Sequence, residues 1–284
     1  MIRWLVLWAA SILAAAGCSS GASGATWQAT AAASSPASAA TAPTQTVPPA
    51  SLTIFGASSL KPALARVQTA YQAAHPGTTI TISTDSSAAL EMKIEQGAPV
   101  DVFLSADTAN PQKLVDRGLA SGGLVEFAGN RLTVIVPADN PAGISTPADL
   151  ARSGLKVVAA ADSAPITRYA NQLVANLAGQ PGYPADFAAR YAANIVSRQD
   201  NVAAVVAQIA LGEGDAAIVY VTDARTSTRV VTVAVPDEAN VVAAYAGVVV
   251  RESANQAAAQ AFLAWLAGPD GQAILAAFGF LAAG

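Results

Sequence analysis

From Ser51 onward, short runs with apolar residues at every second position alternate with stretches whose apolar residues recur every three or four. That alternation constrains the fold more than any other feature. Ser51–Phe55 (SLTIF) has the period of a strand, and Leu60, Leu64, Val67 and Tyr71 follow at the spacing of one helix face. His75-Pro76-Gly77 ends that helix, Thr78–Ser83 (TTITIS) is a second strand, and a second helix runs to Gly97. Val100–Leu104, Leu132–Val136 and Leu155–Ala160 read as further strands, with a helix over Ile166–Leu177. Val202, Val205, Val206 and Ile209 mark another helix face, stopped by Gly212-Glu213-Gly214. Strands at Ala216–Tyr220, Val230–Val235 and Tyr245–Val250 precede two helices that carry Phe262, Trp265, Ile274 and Phe278. Strands interleaved with helices imply βαβ units and an α/β fold. Residues 51–284 are enough chain for two lobes of ordinary size.

The first fifty residues follow another logic. Met1–Cys18 carries one positive charge, Arg3, then an apolar run from Trp4 to Ala16 and small residues before a Cys. That run is shorter than the roughly 20 apolar residues a membrane span needs, and it ends as a secretory signal ends. Ala15-Ala16-Gly17-Cys18 resembles a bacterial lipobox, in which the Cys is lipidated and becomes the first mature residue. Residues 19–50 contain no charge and consist mainly of Ser, Ala, Thr, Gly and Pro. Such a stretch cannot bury enough apolar surface to offset its chain entropy, and it reads as a tether spanning about 30 Å. The expected arrangement is an extracytoplasmic domain on a lipid anchor at Cys18.

Composition removes several kinds of chemistry. Only 12% of residues are charged, against about 25% in an ordinary soluble domain, and the net charge is −4. With no Lys/Arg run, the chain lacks the basic footprint of a nucleic-acid binder. One Cys and one His exclude a disulfide framework, Cys-rich metal sites and multi-His sites. No G-x-S-x-G, H-E-x-x-H, Walker or dinucleotide motif is present. His75 stands at a helix end, expected to be exposed, and Cys18 lies in the signal, so no nucleophile–base pair suggests an enzyme.

Two strand-to-helix junctions stand out. Phe55-Gly56-Ala57-Ser58-Ser59-Leu60 opens the first helix, with Pro62 in its first turn, and Asp85-Ser86-Ser87-Ala88 opens the second. A helix start offers unpaired N–H donors and about half a positive charge, which suits an anion. Small residues let an anion approach the backbone, and in open α/β sheets ligands bind at the carboxyl ends of strands. Ser and Asp are also the preferred N-caps, so capping is the stronger explanation of either junction alone, and it is the two in tandem that point to a ligand. Asp101, Asp107 and the face formed by Glu91, Lys93 and Glu95 are expected to be structural or solvated.

Residues 51–284 resemble the molybdate-binding component of bacterial ABC importers. The segments that carry the resemblance are FGASSLKPAL (55–64), IEQGAPVDVFLSAD (94–107), GNRLTVIVP (129–137), DNV (200–202), AIVYVTDA (217–224) and GPDGQAILAAFGF (268–280). The resemblance implies a type II periplasmic-binding-protein fold, each lobe a mainly parallel sheet flanked by helices, with a cleft between. Lobe one would comprise 51–130 plus 244–284, and lobe two 131–243. It also implies hydroxyl ligands at Ser59, Ser87 and Tyr220, and backbone N–H ligands at Val202 and near Ile166. These groups would touch the oxygens of molybdate or tungstate and not the metal itself. Near Ile166 the segment ADSAPITRYA departs from the family's small residues.

Molybdate carries no proton near neutrality and needs donors only, whereas phosphate keeps a proton and profits from an acceptor. Asp85 is therefore the residue that separates the two, according to whether it caps the helix or faces the anion. The resemblance implies no cofactor, a membrane permease with its cytoplasmic ATPase as partners, and a monomer. Another oxyanion such as sulfate or phosphate, or a sensor lipoprotein that binds without transport, are the other readings.

Overall fold

Strand β1 (Ser51–Ala57) runs at the centre of one half of the sheet, parallel to β2 (Thr79–Asp85) on one side and β3 (Val102–Ser105) on the other. The computed structural model describes residues 49–284. Helices α1 (Lys61–Ala74), α2 (Ser87–Glu95) and α3 (Ala109–Asp116) follow these strands in turn. A single 3-10 turn, Ser58–Leu60, joins β1 to α1. The face of α1 read from periodicity is the buried one, with Leu64, Val67 and Tyr71 inside. Gly77, at φ 89°, supplies the left-handed turn that a side chain would resist.

The next strand, β4 (Val125–Pro137), is the organising element. Beyond it come β5 (Val157–Ala160), α4 (Pro165–Ala178), α5 (Phe187–Ala193), β6 (Ile195–Gln199) and α6 (Val202–Ala210). Then follow β7 (Ala217–Tyr220), α7 (Val221–Ala224), β8 (Val230–Val233), β9 (Val242–Val249), α8 (Gln256–Ala267) and α9 (Pro269–Ala277). The first half of β4 pairs with β9, from Val125 opposite Gly247 to Arg131 opposite Val242. Its second half pairs with β7, beginning at Leu132 opposite Tyr220, and with β8. One continuous strand thus serves two sheet regions and changes partner between Arg131 and Leu132. Strands β5 and β6 form a parallel pair, and a bridge from Val157 to Ala216 ties β5 beside β7.

The α/β architecture agrees with the sequence pattern, but the pairing is mixed and not mainly parallel. The β3–β9, β4–β9, β4–β7 and β4–β8 pairs are all antiparallel. Strand β8 already runs antiparallel to the second half of β4, and β9 continues in the same sense along its first half, so β9 lies antiparallel to both β4 and β3. Strand β4 is also far longer than Leu132–Val136, because its first half contains Gly129, Asn130 and Arg131, which do not alternate. Two smaller expectations fail. Glu91 is buried rather than solvated, with Lys113 Nζ 3.6 Å away, because α2 packs against α3. His75 is half-buried, its ring stacked on Tyr71 at 3.9 Å between centroids.

Gly247 stands where β9 contacts both neighbours, opposite Leu104 and Val125. A Cβ there would come within 2.8 Å of Leu104 Cδ2 and 3.0 Å of the Phe103 carbonyl oxygen. Backbone cannot yield as a side-chain tip can, so Gly247→Val is expected to destabilise the fold by about 1–3 kcal/mol. Urea unfolding measures this, and a midpoint equal to that of the parent would contradict the packing described.

Candidate functional site

A narrow cavity of about 220 Å³ lies where the starts of several helices converge. It is lined from one side by Ser58 and Ser59, by Asp85, Ser86 and Ser87, and by Ala106. From the other side come Ile166 at the start of α4, Asn201 and Val202 at the start of α6, and Tyr220 at the end of β7. Ser59, Ser87, Ile166, Val202 and Tyr220, the residues that the family resemblance implied, therefore line one space. Each is at most 4% exposed. Cys18 and the charge-free stretch of residues 19–50 lie in or beside the part outside the described residues, apart from 49 and 50.

Local chemistry explains why these helix starts remain available. Ser86 and Ala164, the N-caps of α2 and α4, make no side-chain cap bond. At α6, Asn201 accepts only the Ala204 N–H at 3.1 Å. The amides of Ser87, Ile166 and Val202 lie in first turns, ahead of any carbonyl their own helices can offer. Each contributes a donor and the positive end of a dipole.

The hydroxyls are prepared in the same sense. Ser87 Oγ accepts the Ala106 N–H at 3.0 Å, which leaves its own hydrogen unclaimed. Ser59 Oγ is 2.9 Å from the Tyr245 hydroxyl, and that oxygen already accepts from Asn130 Nδ2 at 3.3 Å. With Tyr245 as the donor to Ser59, the Tyr245 hydroxyl is fully bonded and the Ser59 hydrogen also points to no acceptor among the described residues. The Tyr220 hydroxyl is fully buried and has no hydrogen-bond partner among the described residues. Burial drives its pKa well upward, and the neighbouring Tyr245 adds to this, so it remains a donor at any ordinary pH. Three unclaimed hydroxyl hydrogens and several helix-start amides thus face one space.

Asp85 is the one charged residue on the lining. Its carboxylate accepts from its neighbour Ser86 N–H at 2.8 Å, from Lys93 Nζ at 3.1 Å and from Asn201 Nδ2 at 3.4 Å. Burial raises its pKa, but those donors outweigh burial and hold it below the usual carboxylate range. It is neither a simple N-cap, a role Ser86 takes, nor a free acceptor aimed at the cavity. Larger cavities exist, such as the 630 Å³ space behind Ser59 lined by Thr222, Arg225 and Phe278. No comparable set of helix starts meets there.

Sequence reasoning missed Ser58, Ser86 and Asn201 as lining residues, although each adjoins a residue it named. It also missed the supporting bonds of Tyr245 and Asn130, which only the pairing of β4 with β9 brings behind Ser59. Asp101 and Asp107 are structural, as expected: Asp101 accepts from Thr53 N–H, Ser253 and Asn255, and Asp107 from Ser105 and Asn110. Among the described residues no cluster of His, Cys, Asp or Glu is arranged to hold a metal ion. No helix among them is long and apolar enough to cross a membrane.

The two sheet regions sharing β4, with a buried donor-lined cavity at their meeting point, define a two-lobe α/β solute-binding protein. Residues 52–281 match the family model of bacterial extracellular solute-binding proteins, and the chain belongs to that family. The molybdate-binding protein ModA of Mycobacterium tuberculosis is 33% identical over 231 residues, covering 81% of this chain and 84% of that protein. Among solved structures, the periplasmic molybdate-binding protein of Azotobacter vinelandii superposes with a TM-score of 0.67 at 24% identity, covering 81% of this chain and 98% of that one. The sulfate-binding protein SubI of Mycobacterium tuberculosis gives 0.73 at 22% identity, covering 81% and 86%. At those identities the two structures speak for the fold alone.

Behind Tyr220, Asp223 is buried, and its Oδ2 has no hydrogen-bond partner among the described residues. Burial pushes its pKa up to about 8, opposed only by a bond from the Tyr220 backbone N–H. A folded pKa above the unfolded value means that unfolding releases a proton between about pH 4 and 8. Stability from this group is therefore full below the unfolded pKa and is lost as pH rises towards 8, by up to about 1.4 kcal/mol per pH unit. Asp223→Asn removes that slope. Denaturant midpoints of the variant should exceed those of the parent increasingly from pH 5 to 8, with a constant gap above. A gap independent of pH would show that Asp223 is ionised in the folded protein.

Proposed function

We propose that this protein captures molybdate, and tungstate with it, outside the cytoplasmic membrane and delivers it to an ABC-importer permease driven by a cytoplasmic ATPase. The observation that carries this reading is the set of unclaimed donors around the cavity, with no Lys or Arg on its lining. A doubly charged tetrahedral oxyanion accepts hydrogen bonds at every oxygen and donates none. Hydroxyls of Ser59, Ser87 and Tyr220, with backbone amides at Ile166 and Val202, would bind those oxygens, and the metal atom would touch no protein group. Preorganised dipoles in a buried site stabilise such charge without reorganisation on binding.

Asp85 gives little support to a protonated ligand. Its acceptor positions are taken by Ser86, Lys93 and Asn201, so it has little to offer the proton of hydrogen phosphate. The similarity to the molybdate-binding protein of Mycobacterium tuberculosis supports the same choice. The division into lobes would fall at the change of partners on β4, with 51–130 and 244–284 on one side and 131–243 on the other. Both crossings are extended strand, β4 and the run into β9, and could bend as a hinge. The closed form binds the anion better than the open form, and the permease recognises closure. Lipidation at Cys18 would hold the protein to the membrane as a monomer, without enzymatic activity or a cofactor.

Calorimetric titration of the purified protein with molybdate, tungstate, sulfate and phosphate tests this reading. Tight 1:1 binding of the first two is expected, with phosphate markedly weaker. Ser59→Ala, Ser87→Ala and Tyr220→Phe each remove one bond to a charged oxygen and should weaken binding about 10- to 100-fold. Tight phosphate binding, or affinity indifferent to all three substitutions, would overturn it.

A further inference from the structure

Two polar contacts cross the cleft at the cavity: one joins residues outside its lining, and the other joins two lining residues. Arg168, on α4 two residues beyond Ile166, places Nη2 3.3 Å from Oδ2 of Asp107. Asp107 directly follows Ala106, whose N–H holds the Ser87 hydroxyl. On the opposite flank, Asn201 Nδ2 is 3.4 Å from Asp85 Oδ1. The Arg168 guanidinium also lies 4.9 Å from the centre of the Tyr169 ring, and Tyr169 packs edge-on against Tyr220 at 6.4 Å.

We propose that Arg168 is a positioning residue for closure, a clasp that bonds Asp107 across the cleft only when the two lobes meet. This rests on the reading of the cleft as a closing oxyanion site. The asymmetry of the Asp107 contacts supports it. Ser105 Oγ at 2.8 Å, the Asn110 amide at 3.0 Å and Asn110 Nδ2 all come from the same side of the cleft as Asp107. They hold the carboxylate of this buried residue in place whether the cleft is open or shut. The Arg168 bond alone comes from the far side. Opening therefore removes one charged partner from Asp107 and leaves the rest of its shell intact. A contact present only in the closed state adds to ligand affinity through differential stabilisation, although it never touches the ligand.

The magnitude follows from exposure. The Arg168 side chain is half-exposed while that of Asp107 is almost fully buried, so the pair is partly screened and should respond to salt. Loss of such a pair is expected to raise Kd about three- to tenfold. Because the bond forms after the anion has entered, the change should fall on the dissociation rate, with association little altered.

The test compares the parent with Arg168→Gln, Arg168→Lys and Arg190→Gln, using molybdate in stopped-flow fluorescence at low and high salt. Arg190 pairs with Asp186 four residues earlier on its own side, so its loss removes the same charge without touching the cleft. Melting curves and far-ultraviolet circular dichroism confirm that each variant folds. Arg168→Gln should dissociate about three- to tenfold faster and lose most of the salt dependence of dissociation that the parent shows. Arg168→Lys should recover part of both, and Arg190→Gln should match the parent. Unchanged dissociation in Arg168→Gln, or an equal effect of Arg190→Gln, would overturn the clasp while leaving the oxyanion site standing. Absence of molybdate binding in the parent would instead remove the reading of the site and the clasp together.

Discussion

Unpaired N–H groups at helix starts are the constraint around which this structure is arranged. Each helix must leave its first amides without internal partners, and a buried helix start without a partner is costly. Here the starts of α2, α4 and α6, with the turn before α1, bring those amides to one enclosed space. An anion in that space would meet several of those donors at once. Strand β4 makes the convergence possible. By pairing first with β9 and then with β7, it fixes the Ser59 and Ser87 junctions relative to the Val202 and Tyr220 junctions.

A second layer determines which way the hydroxyl hydrogens point. Asn130 donates to both Tyr245 and Thr222, the Tyr245 and Ser59 hydroxyls share a hydrogen bond, and with Tyr245 as its donor the chain of bonds ends with the Ser59 hydrogen turned to the cavity. Asn130 lies on β4 next to the change of partners, so the strand that joins the two regions also anchors this network. Asp223, behind Tyr220, carries its proton near neutrality and adds no negative charge to that layer. The interior behind the site is polar and neutral, which lets fixed dipoles act at low dielectric without a buried cation.

Local pattern made much of this legible. The Ser-Ser pairs at 58–59 and 86–87 and the Asn201-Val202 step mark helix starts through capping chemistry, which depends on near neighbours alone. Helix faces at 64–71 and 202–209 could be read because burial repeats with the period of the helix. The first half of β4 could not, since Gly129, Asn130 and Arg131 break alternation for reasons set by distant partners. Glu91 looked solvated for the same reason: its burial depends on α3 lying against α2. Arg168 carried no signal, because a cation on an amphipathic helix usually faces water.

The sequence by itself determined much of the alternation of strands and helices, where the helices that meet at the site begin, which side chains there can donate, and that no basic or metal-binding cluster competes with them. These are properties of short segments, decided by periodicity and by bonds within a few residues. Tertiary structure alone decided that β9 returns antiparallel, that β4 serves two sheet regions, and that Asp85 meets Asn201 while Asp107 meets Arg168. Those contacts join residues 61 to 116 positions apart, and nothing in a local pattern records a partner at that distance. Only the packing of whole elements brings them within reach of a hydrogen bond.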